Sequence, residues 1–139
     1  MHPMIRRREA VEATVQRFVG KAYAPGVHDC ARLAAFTLRQ MGHKVPLLKG
    51  ARYRTEAGGL KALRRLGFSD LAEAVDALGL VRIAPASALP GDIVALDVEG
   101  ATGFGCALTV ACGNGRVLGF MGGVCAPLEP AAFVAAWRV

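Results

Sequence analysis

The first half of the chain repeats apolar residues at the three- and four-residue steps of amphipathic helices. This period over residues 6–19 predicts a first helix that ends before Gly20. Residues 30–41 contain no glycine or proline and are followed by Gly42, which predicts a second helix with Asp29 as its N-terminal cap. The chain therefore opens with at least two helices.

Two shorter helices are predicted after a polar connection. Thr55 is a suitable cap for a helix that continues through Leu66 and stops at glycine. Ser69 or Asp70 can begin a further helix that continues through Leu78.

From residue 80 the period changes to that of β-strands. Short β-rich runs are separated by Gly-rich turns, and Asn114-Gly115 is a strong hairpin signal. The runs cover residues 80–83, 92–98, 106–112 and 116–121. The tail offers a helical turn after Pro130 and a last strand at 137–139. Helices followed by an antiparallel sheet predict an α+β fold, and 139 residues predict a single domain over 1–139.

Composition narrows the class of protein. Hydrophobic residues make up 53% of the chain, but we find no apolar run of the roughly 18 residues that a membrane span needs and no secretory signal. We therefore expect synthesis in the cytoplasm. The cysteines show no CxxC pair, so we expect no metal site, and a core of this size needs no disulfide framework. The four cysteines are Cys30, Cys106, Cys112 and Cys125. We also expect no cofactor.

The formal net charge of +6 favours anionic partners such as nucleic acid, anionic cell-wall polymers or an acidic protein surface. No basic stretch is interleaved with aromatic residues, which argues against nucleic acid. Arginines 6–8 with Lys61, Arg64 and Arg65 could form such an anion-binding surface. Their helical spacing is equally typical of solvated helix faces.

Cys30 is the best candidate for a nucleophile. A cysteine in the first turn of a helix lies at the positive end of the helix dipole and near unpaired backbone N–H groups, which favour the thiolate. The alternative is a buried thiol that acts as a small apolar side chain.

Three segments carry a resemblance to a known family. They are YAPGVHDC at residues 23–30, ALPGDIV at 88–94 and GNG at 113–115. Together they resemble the NlpC-type cell-wall endopeptidases of the papain-like superfamily. Residues 126–128 and 136–139 are similar to the ends of a phage and prophage tail-associated branch. The resemblance implies an NlpC-type fold with N-terminal helices packed on a C-terminal antiparallel sheet.

The resemblance also implies a catalytic pair of Cys30 and a histidine at the start of the strand after the GD strand, oriented by a third polar residue. That histidine position falls on Ala107, or on Cys106 with a one-residue shift, and neither is a base. His28, two residues before Cys30, is an alternative base if its loop folds back.

A missing base indicates a degenerate peptidase domain. Together with the resemblance to the tail-associated branch, this implies a structural phage or prophage tail-tip or tail-assembly protein. Its expected partners are other tail proteins, and its expected final location is the virion tail. The alternative is an active cysteine peptidase that cleaves peptidoglycan stem peptides during host entry.

Overall fold

The computed structural model describes residues 2–46, 48–98 and 104–139. Within them, four α-helices precede or lead into the sheet: α1 (Pro3–Phe18), α2 (Cys30–Gln40), α3 (Glu56–Arg65) and α4 (Leu71–Asp76). A short 3₁₀ turn follows at Pro85–Ser87. No helix in this described part is long and apolar enough to cross a bilayer.

The helix caps follow the residues that the sequence indicates. The side chains of Asp29, Thr55 and Asp70 each accept a hydrogen bond from a backbone N–H in the first turn of α2, α3 and α4. Gly20 adopts a φ of 86° just after α1, a conformation that L-residues other than glycine rarely adopt. The four predicted helices are confirmed to within a few residues.

Among the described residues, six strands form one antiparallel sheet in the spatial order β1-β6-β2-β3-β4-β5. They are β1 (Val81–Ile83), β2 (Ile93–Leu96), β3 (Ala107–Gly113), β4 (Arg116–Gly119), β5 (Ala126–Leu128) and β6 (Phe133–Arg138). Asn114 and Gly115 have φ values of 55° and 71° and close the β3–β4 hairpin, as predicted. The α+β fold class is therefore confirmed.

The C-terminal segment differs from its prediction. The helical turn expected after Pro130 is wrong, because Ala132 has a φ of 54° and the chain enters β6 at Phe133. The predicted last strand is correspondingly longer, and it pairs with both β1 and β2. Trp137 on β6 is fully buried, so this strand belongs to the centre of the domain.

The main core lies between α2 and the sheet. Leu33, Ala34 and Leu38 of α2 and Leu108 and Val110 of β3 are all fully buried in one cluster. This packing places the first turn of α2 against the start of β3, where the candidate site lies.

Asp92, the residue just before β2, is bonded to both ends of the chain. Its buried carboxylate accepts hydrogen bonds from Arg7 Nη1 at 2.8 Å and from the Val139 N–H at 2.9 Å. It also accepts from the Leu89 N–H at 2.8 Å and forms an ion pair with Arg138 at 3.1 Å. Arg7 is therefore a buried structural side chain. It cannot belong to the exposed anion-binding surface that the sequence suggested for arginines 6–8.

Candidate active site

Asp29 holds the loop before α2 in place. Its buried carboxylate accepts hydrogen bonds from the N–H of Gly26 and the N–H of Arg32, both at 2.8 Å, and from Tyr53 Oη at 2.6 Å. This arrangement confirms that Asp29 caps the helix. It also fixes Cys30 as the first residue of α2.

Cys30 lines a cavity of about 210 Å³ between α2, α3 and the start of β3. Its walls include Tyr23, Glu56, Phe104, Cys106 and Ala107. The wall is mainly apolar, and Tyr23 Oη donates to Glu56 Oε1 at 2.6 Å. The site is thus an apolar hollow with a thiol and a tyrosine–carboxylate pair on its walls.

The protein around Cys30 favours the neutral thiol. Burial raises the pKa of the Cys30 thiol to about 12, and the neighbouring Asp29 carboxylate acts in the same direction. A hydrogen bond from the Leu108 N–H opposes this rise in pKa and only partly offsets it. The thiolate expected from the helix start is therefore disfavoured, because the loss of solvation outweighs the backbone donors at the helix terminus.

Ala107 lies where the resemblance places the catalytic histidine. It is the first residue of β3 and shares the cavity wall with Cys30. Cys106 precedes it on the same wall, and burial raises the pKa of this second thiol to about 11. Neither side chain supplies a base at neutral pH.

The three histidines all fall within described residues, and none lines the cavity. The His28 ring packs edge-on against Phe18, with ring centroids 6.0 Å apart. His2 Nδ1 accepts a hydrogen bond from the Met4 N–H and caps α1, and His43 is exposed beyond the end of α2. The His28 ring therefore contacts Phe18 and does not line the cavity of Cys30.

Sequence reasoning missed Tyr53 and Glu56. Tyr53 lies in the polar connection before α3, where the one-dimensional pattern does not show that its hydroxyl would reach Asp29. Glu56 is visible only as the first residue of a helix, although its side chain lines the cavity. In the described ranges, no three His, Cys, Asp or Glu side chains come together as a metal site.

A match to a protein-family model shows the family of this chain. The model of a domain of unknown function, DUF6950, matches residues 4–139. The chain belongs to the DUF6950 family. No curated protein matches it in sequence.

Solved structures similar to this DUF6950 chain include two NlpC proteins and a peptidoglycan hydrolase. NlpC1 from Trichomonas vaginalis has a TM-score of 0.55 and 16% identity, over 95% of this chain and 43% of its own. NlpC2 from the same organism has a TM-score of 0.57 and 14% identity, over 96% and 47%. The peptidoglycan hydrolase RipB from Mycobacterium tuberculosis has a TM-score of 0.53 and 18% identity, over 98% and 67%.

The chain spans less than half the length of the two Trichomonas proteins. At these identities the similarity concerns the fold. The DUF6950 chain therefore has an NlpC/papain-like fold.

Proposed function

We propose that this chain is an NlpC-like domain that keeps the cleft of a cell-wall peptidase without its hydrolytic chemistry, and that it serves as a structural tail component of a phage or prophage. The observation that carries the proposal is Ala107 on the cavity wall beside Cys30. Without a base, Cys30 loses general acid–base help worth about 10² to 10⁴-fold in rate. Its raised pKa adds to this loss.

The tail assignment rests on residues 126–128 and 136–139, which resemble a tail-associated branch and form β5 and the end of β6.

The role of the missing base is tested by placing a histidine at position 107. Three purified proteins are incubated with peptidoglycan stem peptides: the Ala107→His variant, the matched Ala107→Asn control and the unchanged chain. Cleavage is followed by mass spectrometry. We expect no cleavage by the unchanged chain or the Asn variant, and a gain of about 10²-fold or more in Cys30-dependent reaction in the His variant. Cleavage by the unchanged chain that disappears in Cys30→Ala would overturn the proposal.

The tail role is tested in particles. Cys30→Ala should leave particle assembly and composition unchanged, as judged by electron microscopy and by mass spectrometry of purified tails. Absence of this chain from purified tails contradicts the role. So does a particle that fails to form only with Cys30→Ala.

An active peptidase is the second candidate. It is favoured by the place of Cys30 at the start of α2, on the wall of an open cavity, and by the hydrogen bond from Leu108, which lowers the pKa of the thiol. This candidate predicts Cys30-dependent cleavage of stem peptides by the unchanged chain, with His28 or a group from another molecule as the base.

A further inference from the structure

The positive charge of the chain comes from one segment. Residues 31–55 contain six Lys and Arg and no Asp or Glu, whereas the rest of the chain has eleven Lys and Arg and eleven Asp and Glu. The net charge of +6 therefore arises from the body of α2 and the connection to α3.

Five of these six cations are exposed, and three of them, Arg39, Lys44 and Lys49, line one surface depression. We call the five together the basic surface. They are Arg39, Lys44, Lys49, Arg52 and Arg54. The ion pairs found within the described residues are Arg7–Asp92, Arg8–Glu12, Arg82–Asp76 and Arg138–Asp92, and none of them includes a member of this surface. Its charge is therefore uncompensated by the ion pairs of the described protein.

The sixth cation, Arg32, holds the connection in shape. Its Nη1 donates to the Leu48 carbonyl at 2.9 Å and its Nη2 to the Ala51 carbonyl at 2.7 Å. Its guanidinium also lies 5.3 Å from the centre of the Tyr53 ring, and Tyr53 is tied to Asp29. Arg39 similarly donates to the Val45 carbonyl at 2.9 Å. Four of the five exposed cations thus lie on a connection that is held at several points, which lowers the entropic cost of binding.

The surroundings of the basic surface distinguish between anionic partners. Protein interfaces need an apolar centre, yet Val45 and Leu48 are buried and no large apolar side chain of residues 31–55 is among the exposed ones that the structure describes. Single-stranded nucleic acid needs exposed aromatic rings for base stacking, but Tyr53 is buried and Phe36 is partly buried under Arg17. Most of the cations lie on a connection and not on a helix face that could enter a DNA groove.

We infer that the basic surface binds a base-free phosphodiester polymer, a polyol phosphate chain of the kind found in anionic cell walls. Lysine ammonium groups and arginine guanidinium groups contact successive phosphates along such a chain, and its flexible backbone needs neither stacking nor a groove. This binding does not depend on Cys30, so it holds whether or not the cavity is catalytic.

The experiment measures binding of soluble poly(glycerol phosphate) by calorimetry at increasing salt. In Lys44→Glu/Lys49→Glu we expect about tenfold weaker binding at low salt, and a slope of log K against log salt reduced by about 1.4, since each lost contact contributes about 0.7. Lys21→Glu/Arg116→Glu makes the same change in net charge at exposed positions outside the segment and should change affinity less than twofold. Arg52→Gln/Arg54→Gln provides a second test should the first variant fold poorly.

Two comparison ligands test the choice of partner. Duplex DNA with the same number of phosphates and poly-L-glutamate with the same charge should both bind more weakly than poly(glycerol phosphate). The inference is overturned by stronger binding of either ligand, by equal losses in the two charge-reversed variants, or by no measurable binding at low salt.

Discussion

Asp92 and Cys30 lie in two segments through which this chain resembles NlpC-type peptidases, and their surroundings differ sharply. The buried Asp92 carboxylate faces two guanidinium groups, from Arg7 and Arg138, and two backbone N–H donors. Cys30 has the Leu108 N–H and an unfavourable carboxylate nearby, and burial dominates its pKa. One ionisable group is therefore fully partnered, and the other is held neutral.

The two residues therefore have different consequences. The bonds of Asp92 stabilise the fold, whereas the surroundings of Cys30 set the reactivity of its thiol. Asp92 is bonded to α1, to the turn before β2 and to the residue that follows β6. These bonds hold the first helix and the end of the chain against the sheet. Ala107, on the cavity wall beside Cys30, has no polar side-chain group to satisfy. An alanine at this position is therefore compatible with the fold, whether or not the site is catalytic.

The largest expected effect comes from breaking the Asp92 cluster. Asp92→Ala leaves the Arg7 guanidinium buried without its carboxylate, so we expect the free energy of unfolding to fall by about 3–5 kcal/mol. Urea unfolding followed by circular dichroism measures the change. Asp97→Ala is the matched control, because Asp97 is exposed and lies just after β2, whereas Asp92 lies just before it. This substitution should change stability by less than about 0.5 kcal/mol. Equal effects of the two substitutions would contradict a special role for Asp92.

A second prediction concerns the reactivity of the Cys30 thiol. A pKa of about 12 in place of 9.0 reduces the thiolate fraction at neutral pH by about a thousandfold. The greater nucleophilicity of a more basic thiolate recovers part of this, which leaves alkylation about 30-fold slower than in the unfolded chain. Alkylation resolved by peptide mass spectrometry measures Cys30 apart from the other three cysteines.

The pH dependence of the alkylation rate shows in which direction the pKa of the Cys30 thiol is shifted. In the unfolded chain the rate should level off near pH 9, whereas in the folded protein it should keep rising above pH 9, because the folded thiol still binds its proton there. A plateau near pH 9 in the folded protein would contradict the raised pKa, and a plateau well below pH 9 would show an activated thiol and favour the peptidase candidate.

The sequence predicts those parts of the fold and the site that depend on neighbours along the chain. Caps such as Asp29 and the Asn114-Gly115 turn are local, and the structure confirms both. The position of β6 between β1 and β2 depends on long-range pairing, and the burial of Trp137 follows from it. The sequence shows that no histidine occupies the start of β3, because the three histidines are at positions 2, 28 and 43. The direction of the Cys30 pKa shift depends on burial, which the helix start alone does not reveal.

The smallest effect compares two tyrosine–carboxylate hydrogen bonds of equal length on either side of Cys30. Tyr53 Oη donates to the buried Asp29 and Tyr23 Oη to the exposed Glu56, both at 2.6 Å. Tyr53→Phe leaves a buried carboxylate oxygen with one donor fewer, so we expect a loss of about 1.5 kcal/mol in urea unfolding. Tyr23→Phe allows water to replace the hydroxyl and should cost less than about 0.5 kcal/mol. Equal losses would show that burial does not set the strength of these bonds, and that the support beneath Cys30 is no stronger than the polar pair on the cavity wall.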